Sequence, residues 1–224
     1  MGHRVLITLA LVASTALFTA RTAEGGRVSG KVTVSDANGK PATADVIVYV
    51  VGFAEQAQTT TPGASIAQKG RKFVPDLVAI TVGQSVSFPN GDPFLHNVFS
   101  QSPARKFDLG SFKRGETKDK QFPNAGVVDV YCNIHPEMAA TILVLPNKRH
   151  TRAAADGSFA IDGVPPGRWT VFAYARRATK PVSAAVTVTD GQDAVVNLAL
   201  VRGAEPPHVN KYGEKYKHSS TTYR

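Results

Sequence analysis

Past residue 26 the hydrophobic positions alternate with polar ones in short runs, and Gly, Pro or Asn closes each run. In "RVSGKVTVS", Val28, Val32 and Val34 share one face of an extended chain. "DANGK", Asp36 to Lys40, carries an Asn-Gly turn signal. "ADVIVYVVGF" is a nearly continuous β-branched run, as a buried strand requires. Residues 55–65, "EQAQTTTPGAS", are polar and small and read as an exposed loop. From Ile66 to Pro146 the pattern resumes. "KFVPDLVAITVGQSVSFPN" is strand, turn, strand with Gly83 in the turn, and "VVDVYC" and "ATILVLP" follow. A third block, 156–201, holds "DGSFAIDGVPPGRWTVFAYA" and "VSAAVTVTDGQDAVVNLALV". The pattern predicts an all-β chain of short strands arranged as β-sandwiches. Residues 203–224 show neither strand nor helix period and read as a flexible basic tail. Tyr212, Tyr216 and Tyr223 among its basic residues are the one hint of a docking element.

The start of the chain reads differently. A short basic stretch, Met1 to Arg4, precedes fourteen apolar or small residues, Val5 to Phe18, and then "TARTAEGG". That order is a secretory signal, with residues 1–23 removed, and the run is short for a membrane span. The mature chain is therefore expected in the periplasm or outside the cell. A composition with 42% hydrophobic and 19% charged residues is globular. The net charge is +9; residues 1–23 hold Arg4 and Arg21 and no acid, so +7 remains on the mature chain. A basic surface favours acidic partners. Export, with no groove-reading helix and no RNA-binding signature, argues against nucleic acid.

Export also sharpens the meaning of Cys132, the one cysteine in the chain. It has no internal disulfide partner. Alternation in "VVDVYC" places Val128, Val130 and Cys132 on one face. A continued strand would send His135 to the opposite face, about 10 Å along, and Pro136 would break a helix. A tight loop remains, able to gather Cys132, His135 and Met138 around a point. His96, 36 residues upstream of Cys132, is the other histidine inside the block. Two imidazoles, a thiolate and a thioether suit a type 1 copper ion, and the thioether argues against zinc.

"FPNGDPFLHNVFS" together with "YCNIHPEMAATILV" resembles the two halves of a cupredoxin copper site. The Cys-x-x-His-x-x-Met loop is similar to that of amicyanin, and "HNV" to amicyanin and plastocyanin. The string from Ile66 to Pro146 resembles the methylamine-utilisation type of plastocyanin-like protein. The resemblance implies a Greek-key sandwich over residues 66–147, with copper bound by His96, Cys132, His135 and Met138. It implies that both histidines bind through Nδ1. It also implies that Asn97 braces the ligand loop and turns its backbone N–H towards the Cys sulfur. Residues 24–54 and 151–202 resemble the two parts of a transthyretin-like, carboxypeptidase-regulatory-like domain. The cupredoxin is then an insertion that splits it; alternatively, the N-terminal strands extend the cupredoxin.

The resulting expectation is a single-electron carrier and not an enzyme. Electrons would leave through His135, and Phe94, Leu95 and Pro136 would form the docking patch. The partner would be a cytochrome c or a periplasmic dehydrogenase with an acidic docking face. Copper delivery or storage is the alternative, as is a metal-free surface or adhesion module. A copper oxidase or nitrite reductase needs a second centre, and the chain has six histidines in all.

Overall fold

The computed structural model describes residues 25–55, 63–205 and 207–216, and every regular element in them is a β-strand. The expected signal, residues 1–23, and residues 56–62 of the polar loop lie outside the described residues. Among the described residues no helix is long and apolar enough to cross a membrane.

Five strands lie side by side in the order Leu77–Thr81, Ala139–Leu145, Gly126–Tyr131, His96–Ser100, Phe107–Phe112. The first pair is parallel and the others antiparallel. A three-stranded sheet, ordered Thr117–Gln121, Ser85–Pro89, Ala64–Ser65, packs against it. Val86, Phe88 and Phe122 meet Val98, Phe112, Val128, Val130 and Ile142 in one buried cluster. Val128, Val130 and Cys132 all enter this cluster, as their alternation requires.

The remaining strands form two further sheets. Gly26–Ser35 runs antiparallel to Ser158–Val164 and parallel to Asp193–Val195 and Leu198–Val201. Ile47–Val51 lies between His150–Arg152 and Gly167–Tyr174, with Val182–Val188 beyond. Val28, Val32, Val48, Val50, Ile161, Val171 and Leu200 close a second cluster between them. The Asn-Gly turn forms: Asp36 Oδ1 accepts from the N–H groups of Asn38 and Lys40, and Gly39 supplies a φ of 79°. The strands on either side of it nevertheless go to different sheets, because residues 41–46 carry the chain across before Ile47 pairs.

Ala139–Leu145 joins the two halves and is buried at every position. Ala140, Ile142 and Val144 point into the first cluster. Leu143 and Leu145 point the other way, onto Ile47 and Leu77, with Tyr49 and Tyr174 alongside. A strand buried on both faces is uninterrupted in its hydrophobicity, which explains "ATILVL". Where this strand ends, fully buried Asn147 donates to the carbonyls of Val50 (2.9 Å) and Phe53 (3.0 Å) and accepts from Arg149 N–H. Asn147→Ala leaves those two buried carbonyls without a donor and is expected to cost about 1–3 kcal/mol. Denaturant unfolding of the variant checks this; an unchanged midpoint would show that the amide is not needed.

Candidate metal centre

The loop 132–138 starts where the strand Gly126–Tyr131 ends. Its backbone closes on itself: Cys132 N–H donates to the Met138 carbonyl (3.2 Å) and Met138 N–H to the His135 carbonyl (3.0 Å). Pro136 sits at the exposed tip, where its missing N–H costs nothing. His96 comes from the first residue of the strand His96–Ser100 and is fully buried.

Three donor atoms converge. His96 Nδ1 and His135 Nδ1 are 3.0 Å apart, and Cys132 Sγ lies 4.0 Å from the first and 3.8 Å from the second. A metal at the centre of a trigonal N₂S set, with bonds of about 2.0 Å to nitrogen and 2.3 Å to sulfur, needs separations of about 3.5 and 3.7 Å. The observed triangle differs by at most about 0.5 Å, on the nitrogen–nitrogen edge, so small side-chain shifts let the three groups fit such an ion. They are the one His/Cys/Asp/Glu group of three or more among the described residues whose ligand atoms approach this closely. Met138 is fully buried in the same apolar cluster as Cys132.

The surroundings orient these donors. His96 Nε2 bonds Asp92 Oδ2 at 2.8 Å, which places the proton on Nε2 and leaves the Nδ1 lone pair facing the other donors. Asp92 is itself held by the N–H groups of Gly70 (2.7 Å) and Arg71 (2.9 Å). Burial would raise its pKa; the bonds from Arg71, His96 and Gly70 outweigh that and bring it below the usual carboxylate value. Burial pushes the Cys132 thiol up, against backbone hydrogen bonds from Asn97, Ile134 and His135 that favour the thiolate. Burial pushes His135 down, with His96 adding to the effect.

Asn97, expected to brace the loop, accepts from Asn133 N–H (3.3 Å) and donates to Asp108 (2.7 Å). Phe94 stands at the site's edge, its ring centroid 5.3 Å from that of His96 and 5.6 Å from that of His135. Phe94 and Leu95 are 36% and 50% exposed, and Pro136 is exposed. Ile134, 45% exposed, joins them, and Arg71 caps the Phe94 ring at 5.1 Å. Sequence reasoning missed Asp92, Ile134 and Arg71. An acid four residues before His96 was the available signal for the first.

Within residues 207–216 the C-terminal segment differs from its expected flexible state; residues 217–224, Tyr223 among them, lie outside the described residues. Residues 207–216 form no strand, yet they lie against the loop of Cys132 and His135. His208 stacks on Tyr131 at 4.1 Å and 11°. Lys211 N–H donates to Asn133 Oδ1 (3.1 Å), and the Tyr216 hydroxyl donates to the Cys132 carbonyl (2.9 Å). Such contacts need isolated side chains at the right points and no periodicity, so a pattern search passes over them.

No protein-family model and no curated protein matches the chain. Among solved structures it is similar to a novel purple cupredoxin from Nitrosopumilus maritimus, with 24% identity over 37% of this chain and 99% of that one, TM-score 0.33. It is also similar to a Cu-containing nitrite reductase from Thermus scotoductus SA-01, with 27% identity over 43% of this chain but 25% of that one, TM-score 0.36. A mutant of amicyanin in its Cu(I) form shares 17% identity over 44% of this chain and 98% of that one, TM-score 0.36. Each likeness covers less than half of this chain, and the site is read from its own donor atoms.

Two outcomes are expected of the metal-free protein. Cys132, buried and held as the thiol, should alkylate at least about tenfold more slowly in the folded than in the unfolded chain. Equal rates would contradict the packing. His135, His150 and His208 are all shifted down, burial being the first cause in each. Below their unfolded value of about 6.5 the unfolded chain binds more protons than the native one. Stability is therefore fully present above about pH 6.5 and falls as pH drops through the lower native values. Urea midpoints at about pH 7.5 and about pH 5 measure it; a midpoint that rises on acidification over this range contradicts the sign.

Proposed function

We propose that the chain is an extracytoplasmic type 1 copper protein that carries single electrons between redox partners. The observation behind this is the triangle of His96 Nδ1, His135 Nδ1 and Cys132 Sγ, with edges of 3.0, 3.8 and 4.0 Å. Met138, buried with Cys132, would supply its thioether as a fourth, weak donor. A thiolate and a thioether with two imidazoles select copper over harder ions. When bound there, copper would supply one-electron chemistry.

The residues divide the remaining work. Asp92 fixes the His96 tautomer. The N–H of Ile134, 3.4 Å from Cys132 Sγ, points at the sulfur and favours its thiolate. Met138 and Phe112 in the buried cluster exclude water. Four protein donors leave no open position for a substrate, so the proposal is a carrier and not a catalyst.

His135 is half-buried and has the exposed Phe94, Leu95, Ile134 and Pro136 around it. That edge is the proposed route for electrons. Lys69, Arg71 and Lys72 sit in the hairpin that holds Asp92, and Lys113 and Arg114 in the turn bonded to Asn90. Set against Glu116 in that turn and Glu137 beside His135, these five cations leave the rim net positive. A cytochrome c or a periplasmic dehydrogenase with an acidic face is the partner class proposed.

The proposal includes two domains: a copper domain at 66–147 and a transthyretin-like domain split between 24–54 and 151–202. In its favour, the strands Gly26–Ser35 and Ile47–Val51 form their ladders with strands after residue 149. Export rests on residues 1–23.

Residues 24–224 loaded with Cu(II) should show an intense thiolate-to-copper band near about 600 nm, absent in Cys132→Ser. A colourless wild type sinks the proposal. Fast, reversible exchange of the ion in both oxidation states would favour copper delivery or storage instead. Asp92→Ala should weaken copper binding about 10- to 100-fold, read by competition with a chelator. Unchanged affinity would remove Asp92 from the account.

A further inference from the structure

We infer that the C-terminal segment is a working part of the metal centre, with Lys211 the positioning residue that closes a ring of hydrogen bonds around the ligand loop. The inference takes Cys132 and His135 as ligands and so rests on the proposed function above. The ring can be followed bond by bond. Lys211 N–H donates to Asn133 Oδ1 at 3.1 Å. Asn133 N–H donates to Asn97 Oδ1 at 3.3 Å. Asn97 Nδ2 donates to Asp108 Oδ1 at 2.7 Å. Asp108 Oδ2 accepts from Lys211 Nζ at 2.8 Å, which returns the path to its start. Four separate stretches of chain meet in it: the strands His96–Ser100 and Phe107–Phe112, the ligand loop and the C-terminal segment.

Two independent contacts act on the neighbouring residues. Tyr216 donates to the carbonyl of Cys132, and His208 stacks on Tyr131. The segment thus touches three consecutive residues, 131 to 133. Its upstream end is anchored elsewhere. Glu205 pairs with Arg176 and, at 2.9 Å, with Arg177, and Gly203 N–H donates to the Arg177 carbonyl. Arg176 and Arg177 directly follow the strand Gly167–Tyr174 and Ala175, so the second pair of sheets supplies the anchor. Gln101 holds the middle, donating to the Lys211 carbonyl at 2.9 Å.

The consequence lies in the loop. Asn133 follows Cys132 and precedes the Ile134 N–H that points at Sγ. Fixing Asn133 from both its N–H and its side chain fixes the peptide planes that carry the thiol and, two residues on, His135. Without Lys211 Nζ, Asp108 keeps the N–H of Gly110 and the amide of Asn97 but loses its cation. Without the segment, the Asn133 side chain and the Cys132 carbonyl lose their partners and the loop opens more often.

The test uses the metal-free mature chain and reads the alkylation rate of Cys132. A chain ending at Glu205 should alkylate about tenfold faster than wild type, and Lys211→Met and Asp108→Asn should rise in the same direction. Lys211→Arg keeps the cation and should stay near wild type. Lys215→Met removes the same charge from an exposed neighbour and should change nothing. Denaturant midpoints confirm that each variant is folded. Loaded with Cu(II), the truncated chain should also show a shifted charge-transfer band. Wild-type alkylation rates in the truncated chain, alongside a raised rate in Asn97→Ala, overturn the inference. Equal rises in Lys215→Met and Lys211→Met overturn it too, since charge alone would then explain them. A wild type that takes no copper but follows the predicted thiol rates upholds the ring and sinks the copper reading alone.

Discussion

Two imidazole nitrogens 3.0 Å apart, with a thiol sulfur within 4.0 Å of both, are held among apolar side chains. Polar groups buried in this way need partners, and these donors are aimed at one another. Much of the local structure follows from keeping them so. Asp92 takes the outward nitrogen of His96. Backbone N–H groups take the sulfur. Pro136 turns the loop at its tip, and Asn97 ties that loop to the strand carrying His96. Remove the inward aim of the three donors and none of these arrangements has an evident purpose.

The strands supply the rigidity. Cys132 directly follows one strand of a five-stranded sheet and His96 begins the next, which pair at Tyr131 and Phe99. Neighbouring strands lie about 4.8 Å apart, so the two ligands start within reach of each other before any loop forms. Ala139–Leu145, on the other side of the Cys132 strand, is clamped on both faces by the two apolar clusters it separates. The second pair of sheets therefore braces the first through Leu143 and Leu145, and reaches the loop of Cys132 and His135 again through the segment anchored at Arg176 and Arg177.

Much of this was legible in the residues. The spacing of Cys132, His135 and Met138, the alternation before them and the proline among them identified both an inward thiol and a loop. His96 was legible because so few histidines compete with it. The run "ATILVLP" marked a strand, though not that its two faces meet different cores; that depends on partners distant in sequence. Asp92 was hidden because its spacing from His96 resembles a helical pair, whereas a β-hairpin N–H pair and a loop place it. The C-terminal segment was hidden for a different reason. It docks through the His208 stack, the Lys211 ion pair and single hydrogen bonds from Lys211 and Tyr216. These leave no period in the sequence, and the surrounding lysines make the segment read as solvated.

On the proposed reading, one metal ion takes two imidazoles and the Cys132 sulfur at once. X-ray absorption at the copper edge of the loaded protein counts those atoms directly. One sulfur at a bond length of about 2.3 Å and two imidazole nitrogens at about 2.0 Å are expected. A first shell of nitrogen and oxygen alone, with no sulfur at bonding distance, would contradict it.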